Sequence, residues 1–212
     1  MSARLAFADS DAAADLLTFA GRAARLDDGL VHLRAAGGVL AMSCAALTSS
    51  GLMDTTPTVL GMRMLPIDPE LECDLVVQAS ALVADGPDGV ALPASATRTA
   101  WAGIAPPRSG WEMSGELPAS VLAARAQHGM ASVAHAVPDA AGEDVVRAVR
   151  GRIWGAPDED LQGLPAGVAF AAFALGFIHG DEVAAVRRAG VWTRVSLQRG
   201  HVLVRQRPSA RS

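Results

Sequence analysis

The stretch from Trp101 to Trp111, Trp-Ala-Gly-Ile-Ala-Pro-Pro-Arg-Ser-Gly-Trp, constrains the fold more than any other part of the chain. Pro106 and Pro107 lack backbone N–H groups and hold φ near about −65°, so neither a helix nor a central strand runs through them. The segment predicts a junction, bracketed by two of the four tryptophans. Before it, apolar residues fall mostly in short alternating runs; after it they recur first at helical spacing and then in alternation. The expected class is α+β: a helix plus an antiparallel sheet over residues 1–100, a Trp/Pro-rich junction over 101–115, and a helical domain ending in a β-meander over 116–212.

Composition narrows the chemistry. All 18 basic residues are arginine, and lysine, asparagine and tyrosine are absent. Without lysine there is no Schiff-base or phosphate-loop lysine, and without tyrosine no phenolic acid or nucleophile. Half of the residues are apolar but only 4% are aromatic, so the core must be built mainly from Ala, Val and Leu, whose small volumes let elements approach closely. The net charge of −4 is uneven: residues 1–115 carry 7 Arg against 13 acids, residues 116–212 carry 11 Arg against 9, and the chain after Glu182 has 7 Arg and no acid. Such asymmetry suits an anionic partner for the C-terminal end, or attraction between the two halves. The apolar run at the start is too short for a signal-peptide core and is cut by Asp9 and Asp11, so a cytoplasmic setting is expected. Cys44 and Cys73 sit in apolar strand-like stretches with no Cys-x-x-Cys spacing and read as buried reduced thiols.

In the first half, Ser10 is placed to cap a helix running to about Leu26. Segments 30–34 and 39–47, joined through Gly37-Gly38, read as a hairpin, followed by a polar loop over 48–57. Further strands are expected at 58–65, 74–84 and, more briefly, 90–98. In the second half, Pro118 opens a helix continuing toward Val137 with a bend at Gly129, and a second helix spans 142–154 with Val145, Val146, Val149 and Ile153 as its apolar stripe. Residues 165–178 are apolar on every side yet shorter than the ~20 residues a bilayer needs, which predicts a central buried helix. A three-stranded meander closes the chain over 182–188, 191–198 and 201–206, its first member readable also as a short helix.

Two places could hold a ligand. Trp101, Arg108 and Trp111 at the junction combine a guanidinium with aromatic faces, a pairing that suits a carboxylate, a phosphate or a planar ring; the same tryptophans could instead plug a seam while Arg108 makes a structural ion pair. Trp192, Arg194, Arg199, His201 and Arg205 on the last hairpin could lie along a nucleic-acid backbone, or could keep an edge soluble. His128 and His135 stand seven residues apart on one helix, about 10 Å by helical rise, too far to ligate one metal by themselves. No metal site and no cofactor motif is expected, and no catalytic residue is assigned.

The phrases at 101–112, at 164–170 (Leu-Pro-Ala-Gly-Val-Ala-Phe) and at 191–205 resemble a group of uncharacterised actinobacterial proteins that pair two domains of unknown function. The resemblance covers most of the chain and implies a two-part, bacterial, cytoplasmic protein; it brings no activity with it. The expected function is a non-catalytic, chaperone-like role in binding another protein, with a homodimer as one arrangement, through sheet edges and the inter-domain groove. Nucleic-acid binding by the C-terminal arginine-rich hairpin and small-molecule binding at the junction stand as alternatives.

Overall fold

The computed structural model describes residues 4–49, 51 and 54–206 and has an α+β fold. Two compact units emerge, Met1–Ala45 with Met62–Ala105 and Ala46–Gly61 with Pro106–Ser212. An excursion of the chain over 46–61 thus belongs with the second unit.

The first unit runs β1 (Arg4–Ala6), α1 (Ser10–Ala23), β2 (Leu30–Ala36), β3 (Val39–Leu47), β4 (Thr58–Pro66), β5 (Cys73–Gln78), β6 (Val83–Ala84) and β7 (Gly89–Ala91). Ala46 and Leu47 of β3 and Thr58 to Gly61 of β4 count with the second unit. Asp9, rather than Ser10, caps α1: its carboxylate accepts the N–H of Ala12 at 2.8 Å, where negative charge also meets the positive end of the helix. The helix buries Leu16, Phe19, Ala20 and Ala23, the i, i+3, i+4, i+7 stripe of one face. The β2–β3 hairpin turns on Gly37 and Gly38, with φ of 58° and 81°, the two positive values that the tight turn between twisted strands requires. Strand order is β5-β2-β3 in the main antiparallel sheet and β1-β7-β6 in a small one.

The long strand expected over 74–84 is broken. It ends at Gln78, a 3-10 turn spans Ala79–Ala81, and β6 resumes in the small sheet. The N–H of Ala79 bonds to the carbonyl of Gly29 at 2.9 Å, which turns the backbone out of the ladder although the apolar alternation continues in sequence.

The second unit runs β8 (Glu112–Pro118), α2 (Ala119–Ala136), α3 (Glu143–Gly155), β9 (Pro157–Asp158), β10 (Leu164–Pro165), α4 (Gly167–Ala174), β11 (Val183–Ala189), β12 (Trp192–Leu197) and β13 (Gly200–Arg205). Residues 182–188, open between helix and strand in the sequence, lie mostly in strand β11. The meander carries a fourth strand, β8, and the order is β13-β12-β11-β8, antiparallel throughout.

Helix α2 runs unbroken through Gly129. The glycine is there for closeness, not for a bend: a methyl at this position would overlap the Trp154 ring. Trp154 in turn stacks on Phe170 of α4 at 4.6 Å between centroids. The stripe expected on α3 is not enclosed: Val145 stays 47% exposed and Val146, Val149 and Ile153 are half-buried, while Trp154, outside that stripe, is the residue that is enclosed. Helix α4 is shorter than the apolar run that contains it. Gly176, at φ 66°, terminates it, with the N–H of Gly176 on the carbonyl of Phe173 and that of Phe177 on the carbonyl of Ala172, both at 2.9 Å; this pair of bonds is the Schellman stop that favours glycine. No helix among the described residues is long and apolar enough to cross a membrane. Buried Asp158 accepts from Arg125 Nε at 2.7 Å and from the N–H of Asp160 at 3.0 Å, tying the loop before β10 to α2.

Gly129→Val should lower stability by about 1–3 kcal/mol through overpacking, readable as a fall in Tm, whereas Gly151→Ala on α3, whose added methyl meets only Thr56 Oγ1 at 3.3 Å, should cost less. Equal losses at the two sites would show that α2 and Trp154 are not in close contact.

Candidate nucleic-acid interface

Alternation divides the second unit's sheet into two faces. Leu117, Ala184, Val186, Thr193, Val195, Leu197, Val202 and Val204 are all buried, and they form the core-facing set. The opposite set is Met113 and Glu116 on β8, Ala185, Arg187 and Ala189 on β11, Trp192, Arg194 and Ser196 on β12, and His201, Leu203 and Arg205 on β13. Register fixes their neighbours: Arg187 stands opposite Arg194, Ser196 opposite His201, Arg194 opposite Leu203 and Trp192 opposite Arg205. A bulge between Val186 and Arg187 skips Ser114, so Met113 lies opposite Arg187. Bulges of this kind re-aim side chains and sharpen the local twist. Trp111, just before β8, folds over this face, and the guanidinium carbon of Arg194 lies 4.5 Å from its ring centroid. The indole N–H of Trp111 donates to the carbonyl of Pro107 at 2.9 Å, which fixes the ring.

The structure regroups the residues singled out by sequence. Trp101 is 6% exposed in the first unit and donates its indole N–H to Asp28 Oδ2 at 2.8 Å; it packs and anchors, and offers no open ring. Arg108 is exposed in the second unit. Trp111 meets Arg194 of the hairpin, and His201 and Arg205 share the face of Arg194. Trp192, 5% exposed, and Leu203, 1% exposed, lie on the same face but are covered, so Trp192 offers no face for a base to stack on, whereas Trp111 is half-buried. Arg199 sits in the β12–β13 turn, exposed and engaged in contacts of its own. Glu182 shapes the adjoining turn, its two carboxylate oxygens accepting from the N–H groups of His179 and Gln198 at 3.1 and 2.8 Å.

Arg187 escaped the sequence reading, although it lies in the acid-free stretch after Glu182. Only the β11–β12 register shows that it faces Arg194. Among the described residues, no carboxylate comes within ion-pair distance of Arg187, Arg194 or Arg205, and Glu116, opposite Ala185 on the same face, reaches none of them. Two like charges directly opposite across a strand pair are destabilising. Burial first, and then Arg187, pulls the Arg194 guanidinium below its ordinary value. Burial also lowers the His201 pKa below 6.5, and Arg194 and Arg187 add to the effect. Three enclosed polar atoms here, Arg194 Nε, Ser196 Oγ and His201 Nδ1, have no hydrogen-bond partner among the described residues; each such group costs about 1–3 kcal/mol when left unmet. Neither Cys44, which is buried, nor Cys73, which is half-buried, is in a disulfide, and burial pushes the Cys73 thiol up.

The two halves of the chain match two families of unknown function. Residues 1–103 fit the domain of unknown function DUF8010 and residues 106–209 the domain of unknown function DUF8185. No curated protein matches the sequence. Among solved structures, a putative DNA polymerase III beta subunit from Eubacterium rectale ATCC 33656 superposes with a TM-score of 0.54 at 6% identity, over 99% of this chain and 66% of that one. A DnaN sliding clamp (DNA polymerase III subunit beta) from Bartonella birtlesii, bound to griselimycin, gives 0.50 at 11% identity over 99% and 66%. This chain therefore spans just under two thirds of the length of those proteins, and the likeness is one of fold. It overturns the expected chaperone-like, protein-binding role, which rested on a loose likeness of helix-and-sheet halves to secretion chaperones: the fold the chain shares is that of sliding clamps.

The lowered pKa of His201 links folding to pH. The native state resists protonating this ring, so below about pH 6.5 the unfolded chain binds more protons and stability falls as pH drops toward the folded-state pKa. His201→Gln should remove that part of the slope, losing less stability than the parent between pH 7 and pH 5 in denaturant titrations. Parallel pH profiles for the two proteins would contradict this.

Proposed function

We propose that the protein is a clamp-like nucleic-acid-binding protein whose second unit contacts the phosphate backbone through the basic sheet face of β11 to β13. The observation that carries this reading is the cross-strand pair Arg187 and Arg194, with Arg205 nearby, unopposed by any carboxylate among the described residues. A chain of net charge −4 does not attract polyanions as a whole, so concentrated positive charge on one face gives local and oriented attraction. The likeness in fold to a putative DNA polymerase III beta subunit and to a DnaN sliding clamp supports a nucleic-acid setting. Arginine suits the task because its rigid fork of donors fits phosphate oxygens and it remains charged when partly buried. Trp111 adds a flat apolar surface beside the charges, where a base or sugar can rest.

Binding of the full-length protein to a fluorescent DNA oligonucleotide, followed by anisotropy across a salt series, tests the reading. Affinity should fall steeply with salt, and Arg187→Ala and Arg194→Ala should each reduce the slope of log K against log salt by about 1. Arg147→Ala on α3, a residue already paired with Asp144 at 3.0 Å, should leave it unchanged. Absence of binding at low salt, or a slope that responds to Arg147 and not to the sheet arginines, would overturn the assignment.

A further inference from the structure

The unmet atoms on the basic face form a set. Arg194 and Ser196 are two residues apart on the same side of β12, and His201 stands opposite Ser196 on β13. Their enclosed atoms are Nε, Oγ and Nδ1. An arginine Nε–H can only donate, a serine hydroxyl can donate, and an imidazole nitrogen donates when it carries the proton. None of the three bonds to another, and Arg187 faces Arg194 from β11 without an acidic partner among the described residues. A neutral acceptor would answer the donors but leave the like charges opposed. A carboxylate would bring two oxygens in one plane, matched to a single guanidinium fork rather than to donors on two strands. A phosphate group brings several acceptor oxygens in three dimensions together with the charge that the two arginines lack.

We propose that Arg194, Ser196 and His201, backed by Arg187 and covered by Trp111, seat a single phosphate group. The assignment rests on reading this face as the nucleic-acid surface, and it names the atoms that would hold one phosphate of the bound strand, either a terminal phosphomonoester or an internal phosphodiester. The Trp111 ring holds one face of the Arg194 guanidinium and is itself tied to Pro107, so the fork is oriented before the ligand arrives and less ordering is needed on binding. The seat lies beside the bulge at Val186/Arg187, which sets where the second guanidinium stands.

The test uses the full chain and inorganic phosphate at matched ionic strength, with chloride as the control anion. Phosphate should saturate, shift the His201 ring resonance (assigned through His201→Gln) and move its titration to higher pH, and change the tryptophan fluorescence component that Trp111→Phe removes. Arg194→Gln and Ser196→Ala should each weaken phosphate about tenfold or less, and the wild-type resonance shift reads the site even if a variant folds poorly. A 5′-phosphorylated oligonucleotide binding more tightly than its unphosphorylated twin assigns the seat to a strand end; equal binding with the same His201 shift assigns it to the backbone. If phosphate leaves His201 and Trp111 unmoved while oligonucleotides still bind in a salt-dependent way, the seat is wrong and the nucleic-acid reading stands. If phosphate binds and oligonucleotides do not, the nucleic-acid reading falls and the seat stands.

Discussion

Close approach through glycine is the constraint on which the second unit depends. Gly61 on β4, Gly129 on α2 and Gly200 on β13 each occupy a point where a methyl would overlap a large neighbour: Leu175, Trp154 and Phe177 respectively. These contacts let a helix made almost wholly of Ala, Gly, Val and Phe sit against the sheet. Small residues give little apolar area each, so such a core gains its stability from density, and dense cores respond to single methyl groups. Once that face is filled, strand alternation leaves the other side of β11 to β13 no choice about direction. Arg187, Arg194, Ser196 and His201 point away from the helices because Val186, Val195 and Val202 point toward them.

Much of this was legible from local pattern. The hairpin at Gly37-Gly38, the start of α2 after Pro118 and the meander at the C-terminus each carry a signal contained within a few residues: paired positive-φ glycines, a helix-starting proline, strict alternation from Val191 to Leu197. What stayed hidden depends on partners far away in sequence. β8 reads Glu-Met-Ser-Gly-Glu-Leu-Pro, with no apolar run, and is a strand because β11 supplies its ladder. The break at Ala79 depends on the carbonyl of Gly29, and residues 46–61 contribute to the second unit by contacts such as Gly61 with Leu175. No periodicity within those segments encodes these events.

The candidate residues show the same division. Sequence found Trp111 in one cluster and Arg194, His201 and Arg205 in another, because it groups residues by proximity along the chain. The sheet joins them, since Trp111 precedes the edge strand of the meander to which the others belong. Trp101 and Trp192 drop away for a matching reason. An aromatic beside an arginine in sequence carries no information about which of its faces is covered, and both rings are spent on packing.

An arginine pair without a counter-ion can have a purely structural origin, since long aliphatic stems cover apolar surface, and Leu203 and Trp192 beneath this face are well covered. That role accounts for the stems but not for the ends. Covering Leu203 needs methylene groups, which Met or Gln would provide without setting one guanidinium against another or leaving Nε enclosed and unmet. Nor does solubility require it, because exposed arginines away from each other serve that purpose at lower cost. The stacking of Trp111 on Arg194 offsets part of the penalty, about 0.5–1 kcal/mol for a cation on an aromatic face near the surface, less than one enclosed donor costs when unmet. A bound anion would answer the charges and the donors together.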